Sequence, residues 1–448
     1  MMVEPAMVQR GSRIAVIGSG ISGMAAAYFL SRRYEVHLFE KESRLGGHTH
    51  TQLIEEPDSD FLTAVDTGFI VHNDHTYPNL VRLLDELGVK RQLSDMSFGV
   101  SCKETGFEYS SRAIKGFFAQ RTNLLRPQHY RLFAELLRFN RQAPKLLKEG
   151  DVSLTLENYL KRNRFSRDFT DLYLYPMASA VWSASLEQIR KFPALTLIKF
   201  FANHGFFGID IQFEWKTLKG GSSMYIAPLT APYRDRIHTS VRITRVIRDT
   251  RGVELCFEDQ PPRQFDHAVF ATHAPQALAL LHQPTSDEQR ILSNFQTSRS
   301  RVWLHTDSTI MPKREEAWAS WNYHLSRSSG SSIDPAVTVT YHMNRLQSLN
   351  TARQYFVTLN AVAGINESTI LRELEYSHPL YTVDAVRAQE GWETISGRNR
   401  THFCGAYWFY GFHEDGLNSA LRVAKALGVN WDQQQVSQAE NALVAAAK

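Results

Sequence analysis

Cysteine is scarce: the 448-residue chain holds three, Cys102, Cys256 and Cys404, none in C-x-x-C spacing. An odd, scattered set argues against a disulfide framework or a zinc site and suits a reducing cytosol. Apolar runs are also short. Nowhere do about 18 uncharged apolar residues occur together, and the opening MMVEPAMVQRGSR lacks the run of about seven to fifteen that an export signal requires. The expectation is a cytoplasmic protein without a membrane span. Net charge is small, +4 from 50 basic and 46 acidic residues, which leaves little reason to make nucleic acid the main partner. No low-complexity tract interrupts the chain, and its length allows two domains, each with its own core.

What the chain does have begins at RIAVIGSGISGMAAAYFLSRRYEVHLFEK. An apolar strand at Ile14–Ile17 precedes Gly18-x-Gly20-x-x-Gly23, an Ala-rich helix, and a second strand ending at Glu40. This is the order of a βαβ dinucleotide-binding unit. Gly18 permits the tight turn, Gly20 lets backbone approach a pyrophosphate, and Gly23 lets helix and strand pack closely. Ile21 and Ser22 head the helix, whose N-terminus faces the phosphate charge. Glu40 follows at about twenty residues, where a carboxylate accepts from ribose hydroxyls and disfavours a 2′-phosphate. The fingerprint leaves NAD and FAD both open. The next residues, EKESRLGGHTHT, place Lys41, Arg44, Gly46 and Gly47 directly after the second strand. A further guanidinium and bare backbone there suit a longer ligand, whose pyrophosphate continues into ribityl and flavin.

Glu40, Arg44, Gly46 and Gly47 resemble the E-x-x-x-R-x-G-G extension of the flavin amine oxidase superfamily. That superfamily includes monoamine and polyamine oxidases, protoporphyrinogen oxidase and phytoene desaturase. The resemblance implies an α/β fold: a discontinuous Rossmann-like FAD-binding domain (residues 12–92, 214–285 and 396–432) with an inserted α+β substrate-binding domain (93–213 and 286–395). Flexible tails at 1–11 and 433–448 complete the plan, and FAD is expected to be non-covalent. By the same resemblance, Gly220 and Gly221 in WKTLKGGSSMYIAPL open the middle cofactor segment. The amide of Val246 then meets the adenine, and the strand Ala268 to Thr272, with Ala271, returns to the cofactor. DTGFIVHND, with Thr67 and Gly68, resembles the strand and loop beneath the flavin. GAYWFYGFHEDG resembles the last cofactor segment, with Gly405 at the ribityl phosphate, the amide of His413 at the flavin ring, and Gly416 behind it. Ala406 stands where many relatives carry an acid, and Glu414 or Asp415 is its expected replacement.

His48-x-His50 and His72-x-x-His75 lack a third and fourth ligand at closing distance, so no metal is expected and His72 is read as a lining residue. Trp182, in YPMASAVWSAS, is read as core packing. Two positions bear on an amine substrate and are the candidate catalytic residues. Phe412 aligns with one ring of the amine oxidases' aromatic cage, but no second ring is visible. Arg301 falls where those enzymes commonly keep a lysine, and a guanidinium does not deprotonate.

Between Arg112 and Lys148 lie Lys115, Arg121, Arg126, Arg131, Arg138, Arg141 and Lys145, against the single acid Glu135. Leu132, Phe133, Leu136, Leu137 and Phe139 can share one helix face there. An ordinary surface helix and a helix resting on an anionic membrane both fit that pattern. The expected function is an FAD-dependent oxidoreductase of desaturase or oxidase type. It would pass hydride to flavin N5 from a large hydrophobic substrate, a lipid or acyl chain. An amine oxidase acting on a mono- or polyamine, and a non-catalytic flavoprotein, are the alternatives.

Overall fold

The computed structural model describes residues 8–57, 61–102, 106–110, 127–207, 213–325, 338–361 and 364–432. Arg112, Lys115, Arg121 and Arg126 of the basic stretch lie outside these residues, as do 1–7 and 433–448 of the expected tails. Residues 8–11 do not behave as a tail: the Gly11 amide donates to Arg33 O at 3.0 Å.

The strand Arg13–Ile17 is buried from Ile14 onward, as a parallel strand covered on both faces must be. It pairs in parallel with Glu35–Phe39 on one side and His267–Phe270 on the other. Ile237–His238 and Thr401–Phe403 add the outer strands, so one five-stranded parallel sheet draws on three distant parts of the chain. The helix Ile21–Leu30 follows the first strand. Its Met24-Ala25-Ala26-Ala27 run is wholly buried, because the sheet lies on one side of it and the C-terminal helix His413–Ala426 on the other. Gly416 makes that approach possible: a β-carbon there would stand 2.7 Å from Ile21 Cγ2.

Opposite this sheet stands a seven-stranded mixed sheet. Its order is Ile370–Leu380, Gln296–His305, Phe356–Leu359, Thr338–His342, Trp321–Leu325, Phe98–Cys102 and Phe107–Ser110. Its neighbours are antiparallel except Trp321–Leu325 beside Phe98–Cys102. A helical layer from Pro127–Gln142 to Ala194–Asn203 flanks it, held by an aromatic core of Phe139, Phe169, Trp182, Phe192 and Phe201. Two stretches expected in the insertion pack elsewhere. Ile291, Leu292 and Phe295, and Ala385, Trp392 and Ile395, belong to the core around the five-stranded sheet.

Candidate active site

The helix Ile21–Leu30 starts at Gly20 with no side-chain cap and no acid in its first turn. The amides heading it are therefore left to a ligand, the arrangement that suits a phosphate. The Gly46-Gly47 turn folds over this point. Both glycines have positive φ, 113° and 57°, and a β-carbon on Gly47 would lie 3.1 Å from Gly20 Cα. Arg44 fixes the turn by donating to Gly47 O at 2.9 Å and Thr49 O at 3.3 Å. Glu40 directly follows the second strand, and one of its carboxylate oxygens accepts from the Ser19 amide and hydroxyl at 2.9 and 2.7 Å.

From here a cavity of about 980 Å³ runs to the seven-stranded sheet. Gly18, Gly20, Ile21, Ser22, Glu40, Lys41, Arg44, Gly46, Gly47, Thr67, Gly68, Ala271, Gly405, Phe412 and His413 all line it. At its middle, the His413 ring stacks on Phe69 at 3.6 Å and its Nε2 lies 2.9 Å from Thr49 Oγ1. Burial holds this imidazole at about 3, hence neutral. The ring is thus turned into the core, at the start of the helix His413–Ala426. Phe412 turns the other way, stacked on Phe200 at 5.0 Å. Thr67 Oγ1 lies 2.7 Å from Tyr376 Oη, and His50 Nδ1 holds the same phenol at 2.8 Å.

Two expected roles, of Arg301 and of the acid after Phe412, do not match where the side chains lie. Val246, whose amide is the group expected at the adenine, has a wholly buried side chain, and Val241, Arg242, Ile243 and Thr244 beside it line the cavity. Gly23 does not line the cavity and holds the packing position expected of it: a β-carbon there would stand 1.9 Å from Gly18 O. Arg301 points outward to pair with Glu373, its side chain 64% exposed, while the next residue, Val302, lines the cavity. The reason is strand alternation, which turns successive side chains to opposite faces. Glu414 faces away and accepts from the Asn79 and Leu80 amides at 3.1 and 2.8 Å, capping another helix. Asp415 is also engaged, accepting from the Phe412 amide at 2.9 Å while burial raises it to about 7. Neither acid replaces the one absent at Ala406.

Sequence reasoning missed a group of cavity histidines. His48 has its ring 5.2 Å from His378 and 6.2 Å from His273, and burial keeps all three pKa values low. The spacing His48-x-His50 sets the two side by side in sequence, yet His50 binds Tyr376. Among the described residues no group of three His, Cys, Asp or Glu could hold a metal. His72 is buried away from His75, which stacks on Phe213. Trp182 does pack, between Phe192 and Phe200, while its neighbour Ser183 lines the cavity. The uncapped helix start, the Gly20–Gly47 cradle and a cavity continuing past the ring of His413 together fit an extended flavin dinucleotide.

This geometry defines an FAD-dependent oxidoreductase. The family described as flavin containing amine oxidoreductase matches residues 21–343, and the chain belongs to it. The CLA-producing fatty acid isomerase from P. acnes is 17% identical with a TM-score of 0.65, over 92% of this chain and 98% of that one. Putrescine oxidase, in its wild-type form bound to putrescine, is 13% identical with a TM-score of 0.65, over 94% and 99%. Cyclohexylamine oxidase from Brevibacterium oxydans IH-35A is 15% identical with a TM-score of 0.63, over 93% and 98%. These likenesses are of fold. Protoporphyrinogen oxidase 2 of Arabidopsis thaliana is 34% identical over 87 residues, a stretch covering 18% of this chain and only 15% of that protein. Among the described residues no helix is long and apolar enough to cross a membrane.

Proposed function

We propose that this chain oxidises a largely apolar, uncharged substrate, a lipid or acyl chain, at an FAD held in the cavity's nucleotide half. The observation that carries this reading is the lining of the far half. Ile70, Met96, Val181, Val302 and Leu359 dominate it, and no carboxylate stands among them. The cavity's carboxylates are Glu40, Glu42 and Glu258 on the nucleotide segments and Glu375, exposed on the outer strand Ile370–Leu380. A protonated amine drawn into the far half would be a buried cation without a counter-charge, which costs several kcal/mol, on the order of the penalty for an unpaired buried ion.

In this reading the domain plan is the one expected from sequence, except that the stretches around Ile291–Phe295 and Ala385–Ile395 join the cofactor-binding core. The amides of Ile21 and Ser22 receive the pyrophosphate, Glu40 the ribose, and the His413 amide the ring. FAD supplies the hydride-accepting chemistry when bound. The protein's share is to orient the chain against Phe412 and Phe200 and to exclude water with Val302 and Leu359. Delivery from an anionic membrane fits the helix Pro127–Gln142, where Phe133 and Leu137 are 47% and 40% exposed beside Arg131 and Arg141.

Anaerobic loss of visible flavin absorbance, followed with acyl lipids and with a panel of mono- and polyamines, tests the reading. Lipids are expected to bleach the flavin and amines to leave it oxidised; bleaching by amines alone would overturn it.

A further inference from the structure

The far half of the cavity is not uniformly apolar. Trp321 and Tyr341 face each other on adjacent antiparallel strands, their rings 4.7 Å apart and nearly perpendicular. Ser183 reaches the same chamber from the end of the helix Tyr175–Trp182, and all three residues line the cavity. Ser183 faces the Tyr341 oxygen as a donor, which favours the phenolate and leaves the phenol's own proton free for a ligand.

Two features mark this group as built for a ligand. Trp321 Nε1 is buried and has no partner. An indole nitrogen can only donate, so burying it without an acceptor is a standing cost. Other tryptophans of the chain avoid that cost: Trp182, Trp318 and Trp392 donate to Tyr410 O, Pro312 O and Phe403 O at 3.2, 2.8 and 2.7 Å. Trp408 Nε1 is also orphaned but does not line the cavity. Ser183 is the second feature. It holds a left-handed backbone, φ 50° and ψ 35°, without being glycine. Eight described non-glycine residues have a positive φ, and of these Ser183 is the one that lines the cavity.

We propose that Trp321, Tyr341 and Ser183 form a carbonyl-binding subsite, and that the substrate is an acyl chain carried as an ester, thioester or amide. This rests on the apolar-substrate reading above and names its polar end. Two neutral donors match the two lone pairs of one carbonyl oxygen. Burial raises the Tyr341 phenol to about 12, so it keeps its proton. A free carboxylate is disfavoured because its charge would have no partner. The cations lining the cavity, Lys41, Arg44 and Arg242, belong to the nucleotide segments. His204, which lines the chamber, is held neutral by burial at about 4.

The test uses the FAD-loaded protein and one chain length in four forms: methyl ester, N-acetylcysteamine thioester, free acid and hydrocarbon. Binding is read from the perturbation of the flavin spectrum, and reduction from anaerobic bleaching. Ester or thioester is expected to bind at least about tenfold more tightly than acid and hydrocarbon. Trp321→Phe, which keeps the ring and removes the N–H, should erase that preference while leaving hydrocarbon affinity and FAD content unchanged. Tyr341→Phe gives the same readout should the first variant fold poorly. Equal binding of all four forms, tighter binding of the acid, or an equal loss for ester and hydrocarbon in Trp321→Phe overturns the subsite and leaves the apolar-substrate reading standing. Silence from all four forms, with bleaching by amines, overturns both.

Discussion

Gly47 lies against Gly20, so close that a β-carbon on Gly47 would stand 3.1 Å from the Gly20 α-carbon. The turn after the second strand thereby closes over the start of the first helix, and the two halves of the nucleotide cradle are one object. Gly47→Val, at φ 57°, places a branched residue in the left-handed region, which costs roughly 1–2 kcal/mol, and wedges the cradle open. Purified variant protein is expected to carry less FAD and to melt earlier. Gly23→Ala should weaken folding as well as FAD binding, since its β-carbon would meet the oxygen of the cavity-lining Gly18 at 1.9 Å. Overpacking of this kind costs about 1–3 kcal/mol, and denaturant unfolding of the cofactor-free protein measures it.

Arg301→Ala should change neither flavin reduction nor FAD content, because the side chain pairs with Glu373 on the outer face of the sheet. Stability should stay within about 0.5 kcal/mol of wild type, as for surface substitutions generally. A fall in the reduction rate would return Arg301 to the reaction. Val302→Asp, one residue on, should abolish substrate-dependent bleaching by putting an unpaired carboxylate into the chamber.

Mild acid should destabilise the fold, at pH values above the ordinary carboxylate range. Burial lowers twelve described histidines: His50, His72, His204, His267, His305, His342 and His378 to about 4, His402 and His413 to about 3, and His48, His238 and His273 as well. Their folded values lie below the ordinary histidine value of 6.5, so between those limits the unfolded chain binds more protons and stability falls as pH drops. Asp66 and Asp415, raised to about 6 and 7, act in the opposite sense over the same range but are fewer. The melting temperature is expected to decline from pH 7 to pH 5; a flat or rising profile would contradict neutral burial of the histidines.

Local demands made the nucleotide cradle legible in sequence: a turn that needs Gly18, a packing point that needs Gly23, and an acid at the end of a strand. Convergence of distant strands could be expected only through family resemblance, yet the parallel pairing of His267–Phe270 with both Arg13–Ile17 and Thr401–Phe403 shows it directly. The misreadings have particular causes. Arg301 and Val302 differ by one step of strand alternation, which an insertion or bend upstream reverses. Glu414 was claimed by Asn79 and Leu80, more than three hundred positions away in sequence. His273, His378 and Trp321 carried no local signal at all, because their meaning arises only where three segments meet.

Membrane contact rests on the helix Pro127–Gln142. Leu137→Asp should reduce co-sedimentation with vesicles containing phosphatidylserine, and added salt should reduce it for the wild type, since polybasic attraction is screened over about 10 Å at 0.1 M. Equal binding to neutral and anionic vesicles would contradict this route of delivery.

The most direct measurement is FAD titration of cofactor-free wild type and Gly20→Ala. Gly20 has φ −65° and ψ 178°, a conformation alanine adopts freely, and a β-carbon there meets no protein atom within 4 Å. Only a ligand against that backbone would feel the methyl group. The account predicts one FAD bound per wild-type chain, and a Gly20→Ala protein with unchanged unfolding but an affinity lower by roughly tenfold or more. A wild type that takes up no FAD, or a Gly20→Ala protein that binds it equally well, would contradict a flavin lying across this helix start.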